Sequence, residues 1–145
     1  MLKHEITFWY KPTYLNKSVV LLANIANKII ANELNIKDDL FFDVIIVNNG
    51  QIKKINSKFR RINKVTDVIS FALRDSNKSI KVNLLGEIYL APDYIHNIAK
   101  TDFKKVFIFT YIHGVLHLLS YDHKNKEQEK KMFDLQDKIL RKIKF

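Results

Sequence analysis

Three of the five histidines in this 145-residue chain fall within one short stretch, His113-Gly-Val-Leu-His117-Leu-Leu-Ser-Tyr-Asp-His123. Positions four apart on a helix lie one turn above each other and point the same way. That spacing lets two imidazoles reach one zinc ion. His123 lies further on, and a continuing helix would carry it to a different face. The helix is therefore expected to end near Leu119, with Ser120, Tyr121 and Asp122 folding back to deliver the third imidazole. Three protein ligands leave the fourth tetrahedral position for water, the arrangement of a catalytic zinc. Such a metal lowers the pKa of its bound water to about 7.

A lone histidine on an apolar helix is commonly a core residue with a satisfied hydrogen bond. Burying several imidazoles on the most apolar helix of the chain is different, because without a metal each carries an unmet polar cost of about 1–3 kcal/mol. The expectation is one Zn2+ per chain, held by His113, His117 and His123, with zinc-bound water as the reactive group. His4 and His96 have no such context and read as surface residues.

The elements that must position this cluster follow from pattern. Glu5 to Tyr10 alternate and read as a first strand. Asn16 or Ser18 can cap a helix running to about Asn35. Leu40 to Val47 is a nearly continuous apolar run, as in a central strand, and Asn48-Asn49-Gly50 reads as a turn. Ile52, Ile55 and Phe59 recur at helical spacing to about Arg61. Val65 to Leu73 and Leu84 to Leu90 read as strands, the second as an edge strand, with a polar loop at Arg74 to Lys81. Pro92 to Ala99 form a short helix or turn, and Thr101 or Asp102 can cap the histidine helix. Glu127 to Ile143 place Met132, Leu135, Ile139 and Ile143 on one stripe of a terminal helix. The sum is one α+β domain over residues 1–145, with about four strands in a mixed sheet and about five helices.

Composition narrows the chemistry. With no cysteine, thiolates are excluded as ligands, and a reducing cytoplasm is the expected setting. Twenty-five basic against fifteen acidic residues leave a net charge of +10, which attracts polyanions. The same balance follows from a Lys-, Ile- and Asn-rich composition, so charge alone leaves the partner open. The longest apolar stretch, Val106 to Leu119, is shorter than the roughly 20 residues that span a bilayer. No export signal is visible at the start. A soluble, cytoplasmic protein is expected.

The 113/117/123 spacing is similar to the metzincin pattern H-E-x-x-H-x-x-G-x-x-H. Gly114, however, stands where those peptidases carry their general-base glutamate, and Ser120 stands at their glycine. Gly114 can also serve close packing of the helix on the sheet. The block more closely resembles the YbeY family of bacterial rRNA maturation factors, whose signature H-G-x-L-H-L-x-G-Y-D-H is matched by Gly114, Leu116, Leu118, Tyr121, Asp122 and all three histidines. Two further blocks agree. Ile55-Asn56-Ser57-Lys58-Phe59-Arg60 followed by Val65-Thr66-Asp67-Val68-Ile69-Ser70-Phe71 resembles L-N-x-x-[YF]-R and P-T-D-V-L-S-F. Leu85-Gly86-Glu87-Ile88 resembles L-G-[DE]-I. The departures are Val65 for proline, Ile55 and Ile69 for leucines, and Ser120 for glycine. A left-handed turn residue is costlier as serine by about 1 kcal/mol, so a strained turn is expected there.

The resemblance implies a metzincin-like zinc helix in the core and a zinc-dependent, single-strand-specific endoribonuclease. It further implies roles in rRNA maturation, ribosome biogenesis and ribosome quality control, with the small ribosomal subunit and its assembly factors as partners. Arg60 corresponds to a functionally important arginine; near zinc it can grip a phosphate with paired hydrogen bonds and neutralise transition-state charge. Asp122 either orients a histidine or caps the turn. Thr66, Asp67 and Ser70 can supply polar groups near the cleft, and Glu87 a proton-transfer group. The alternatives are a metzincin-like metallopeptidase and a non-catalytic, zinc-stabilised assembly factor.

Overall fold

The computed structural model describes residues 1–73 and 83–145, so the expected loop at Arg74 to Lys81 lies outside the described residues. The chain runs β1 (Leu2–Phe8), α1 (Lys17–Glu33), β2 (Leu40–Ile46), α2 (Asn49–Arg60), β3 (Val68–Ala72), β4 (Leu84–Leu90), α3 (Pro92–Ala99), α4 (Phe103–Leu118) and α5 (Lys126–Arg141). Four strands and five helices among the described residues bear out the expected α+β class. The sheet order is β1-β2-β4-β3, with β1, β2 and β4 parallel and β3 antiparallel to β4.

The parallel pairs require crossovers, and α1 carries the first of them. Asn16 starts α1, its Oδ1 accepting from the backbone N–H groups of Ser18 and Val19. The Asn48-Asn49-Gly50 segment is not a free turn. Asn48 and Gln51 form a reciprocal capping box, and α2 begins at Asn49. β1 starts at Leu2, earlier than alternation predicts, because its register against β2 runs from Leu2 opposite Leu40 to Phe8 opposite Ile46. The partner strand, not the local pattern, sets its length.

β4 is a correction: it lies between β2 and β3, so Glu87 is on an interior strand. β3 pairs antiparallel on the outer side of β4, a pairing that local sequence does not encode.

α4 is apolar nearly all round, and such a helix is buried. Ile108, Ile112, Val115, Leu116 and Leu118 are fully enclosed in one core with residues of the sheet, α1 and α5. Asp102 is its N-cap residue but makes no side-chain capping bond. Among the described residues, no helix is long and apolar enough to cross a membrane.

Candidate metal centre

His113 and His117 stand one turn apart on the cleft-facing side of α4, half-buried, and His123 is exposed beyond the helix end. Their ring centroids are 4.6 Å (113–117), 5.2 Å (117–123) and 5.7 Å (113–123) apart. One ligand atom from each ring lies within 4.8 Å of the others, and the Nε2 atoms of His113 and His117 face each other at 3.0 Å.

The donor set fits a metal of the zinc type, for which neutral imidazole is an apt ligand. Two further observations support the fit. The Nδ1 of His113 donates to Oε1 of Gln136 at 3.0 Å, which places the proton on that side and turns the Nε2 lone pair toward the cluster. Burial, reinforced by the neighbouring His113 and His123, pushes the His117 pKa down, against the opposing pull of Asp122 and of a backbone hydrogen bond at Tyr121. A lowered pKa keeps the imidazole neutral, the form that binds a metal.

The turn that brings His123 back closes as a Schellman motif. The Ser120 N–H donates to the His117 carbonyl at 3.1 Å and the Tyr121 N–H to the Leu116 carbonyl at 2.9 Å. Ser120 adopts φ +79°, the left-handed region that favours glycine, so the expected strain is present. Asp122 caps this turn: its Oδ1 accepts from the His123 backbone N–H at 2.7 Å, and its other oxygen lies 3.7 Å from Lys124. It makes no hydrogen bond to an imidazole among the described residues.

Gly114 faces the sheet. A Cβ there would meet Ile88 Cγ2 at 3.1 Å, Ser70 Oγ at 3.2 Å and Val68 Cγ2 at 3.2 Å. Close helix–sheet packing is thus its role, and a glutamate at this position would be driven into the core.

The cluster opens on a cleft of about 950 Å³, lined also by Arg60, Thr66, Asp67, Ser70, Asp122 and Phe133. Arg60, exposed at the end of α2, donates from Nη2 to the Ser70 carbonyl at 2.8 Å, and its guanidinium lies 5.3 Å from the Phe71 ring centre. Asp67 accepts from the Val68 N–H at 2.8 Å, and the Ser70 hydroxyl donates to the Gly114 carbonyl at 3.1 Å. The Ser70 bond ties β3 to α4, and the Asp67 bond is local to the entry of β3. Glu87 is not brought to the histidines: it lines an adjoining groove with Asp43 and Phe59, and accepts from the Tyr89 hydroxyl at 2.9 Å.

Two residues escape the sequence reading. Gln136 is fully buried on α5; its signal is a polar residue interrupting the stripe of Met132, Leu135 and Ile139. Asn56 is buried and donates to the Lys64 carbonyl at 3.0 Å, tying α2 to the segment that enters β3. His4 is a correction. It is half-buried, with its Nδ1 2.8 Å from Asn27 Nδ2 and 2.7 Å from the Tyr111 hydroxyl. His96 is exposed, as expected.

An α+β layer with three convergent imidazoles on a core helix, opening on a cleft that an arginine also lines, defines a protein with a three-histidine group able to hold a metal ion. The family described as "Endoribonuclease YbeY" matches residues 12–144. Relatives named endoribonuclease YbeY are 43% identical in Ureaplasma urealyticum, covering 82% of this chain and 77% of the relative, and 32% identical in Malacoplasma penetrans, covering 94% and 93%. The solution structure of TM1509 from Thermotoga maritima is similar with a TM-score of 0.63 and 28% identity, over 97% of this chain and 87% of that one. The chain belongs to the YbeY family.

Proposed function

We propose that this protein is a zinc-dependent endoribonuclease that cleaves single-stranded RNA in the cytoplasm during rRNA maturation and ribosome quality control. In this reading it works beside the small ribosomal subunit. The observation that carries the chemistry is the convergence of His113, His117 and His123 on one point in a cleft lined by Arg60. Membership of a family whose relatives are named for RNA cleavage, together with the +10 net charge, supports the substrate.

When bound, the metal supplies Lewis acidity, polarising a phosphoryl oxygen and bringing a water pKa to about 7. The three histidines hold it, with Gln136 keeping His113 in the ligating tautomer. Arg60 is anchored by one N–H to the Ser70 carbonyl, and a guanidinium has five N–H donors, so others remain for a phosphate. These stabilise the charge that gathers on the phosphate in the transition state. Asp122 keeps the turn at His123 closed. Attack by water or by the ribose 2′-hydroxyl is read from the products: a 2′,3′-cyclic phosphate end excludes direct attack by water.

The peptidase alternative lacks its base, since glycine stands at position 114, where a side chain would press on Ile88, Ser70 and Val68. The test is metal analysis of the purified protein paired with cleavage of single-stranded RNA by wild type and by His117→Ala. Stoichiometric zinc with identical RNA decay in both would sink the nuclease reading and leave a metal-stabilised assembly factor.

A further inference from the structure

The side of the sheet where α2 packs carries a row of aromatic rings that the metal centre does not use. Trp9 just beyond β1, Tyr89 on β4, Phe71 on β3 and Phe59 on α2 follow one another with centroids 5.7, 5.9 and 5.3 Å apart. Phe71 and Tyr89 pack against the buried cluster of Ile45, Ile52 and Ile69, which fixes the middle of the row. Its two ends are open to solvent, Trp9 being 53% and Phe59 58% exposed.

Two cations lie on this row. The Arg60 guanidinium is 5.3 Å from the Phe71 ring centre, and the Lys58 ammonium is 5.3 Å from that of Phe59. A groove of about 440 Å³ at the Phe71–Phe59 end of the row shares Arg60 and Ser70 with the histidine cleft. A chain that passes Arg60 therefore runs from one into the other. Asp43 and Glu87, paired across β2 and β4, also line the groove. Their charge repels phosphates, so it sets bases rather than backbone against the sheet, where carboxylates accept from exocyclic amino groups.

The geometry points to a second RNA surface: single-stranded RNA stacks about two or three bases on the Trp9–Tyr89–Phe71–Phe59 row and continues past Arg60 into the metal cleft. This inference rests on the endoribonuclease reading. A duplex hides its base faces, so the surface selects single strands. Exposed apolar faces also suit protein partners, but the flanking cations and the continuity with the cleft favour RNA here.

Trp9 is the only tryptophan in the chain, so its emission reports directly on the end of the row. The full chain carrying His123→Ala, which spares the probe from metal-dependent cleavage, is titrated with a single-stranded A- and C-containing RNA of about twelve nucleotides and with the same sequence as a duplex. The single strand quenches the emission and the duplex does not. Adding Phe59→Ala weakens the single-strand Kd about tenfold, and Phe59→Tyr, which keeps a ring, restores it. Unmoved emission, or unchanged affinity of a folded Phe59→Ala chain, overturns the inference and leaves the row to a protein partner. Cleavage of the same RNA by wild type, run in parallel, separates the two levels: cleavage without quenching removes only the stacking surface, and no cleavage removes the nuclease reading itself.

Discussion

Gln136 on α5 accepts a 3.0 Å hydrogen bond from Nδ1 of His113 on α4, across 23 residues of sequence. This contact holds the imidazole in the tautomer whose Nε2 faces the cluster. The other end of the same amide, Nε2, is buried with no hydrogen-bond partner among the described residues, so the residue carries some cost to stability.

Gln136→Leu therefore separates metal affinity from folding. The variant loses the acceptor and weakens zinc binding about 10–100-fold in a chelator competition. It also removes an unsatisfied buried donor, so urea unfolding of the metal-free protein is unchanged or shifted upward. Equal zinc affinity in variant and wild type refutes the orienting role.

Ser120→Gly relieves the left-handed strain at φ +79°. The Schellman bonds of Ser120 and Tyr121 are both backbone, so they survive the change. Stability rises by about 1 kcal/mol in urea denaturation with metal stoichiometry unaltered. A loss of stability would mean that the serine side chain contributes more than its backbone strain takes away.

Arg60→Ala leaves the three ligands intact, so zinc content stays the same while RNA cleavage falls about 100-fold. Arg60→Lys recovers little, because an ammonium lacks the planar fork that spans a phosphate and stays bonded to the Ser70 carbonyl. Weakened RNA binding with no catalytic loss instead favours the assembly-factor alternative.

His4 carries a pH dependence that belongs to folding. Burial lowers its pKa, and its Nδ1 faces the Asn27 amide donor, so the neutral ring is the one that fits. The unfolded chain binds the proton more tightly and stability rises with pH in this range. The contribution is full above the ordinary histidine pKa of about 6.5 and is lost as pH falls through the lower folded value. Urea midpoints of wild type and His4→Gln, measured in chelator between about pH 7 and pH 5, converge toward acid; parallel curves count against it.

Local spacing fixed much of this protein before any tertiary contact. His113 and His117 share a face because a helix repeats every 3.6 residues, and His123 can join them only if the chain turns near Leu119, where it does. The nearly continuous apolar run at Leu40–Val47 and the core helix were legible in the sequence as well, since full burial demands sustained hydrophobicity. The tertiary structure alone decided what meets across distance. Gln136 reaches His113, His4 sinks beside Asn27 and Tyr111, and Glu87 turns to the opposite side of an interior strand. Those outcomes depend on which elements pack together and in what strand order. A side chain's own neighbours in sequence constrain its conformation but not its partners.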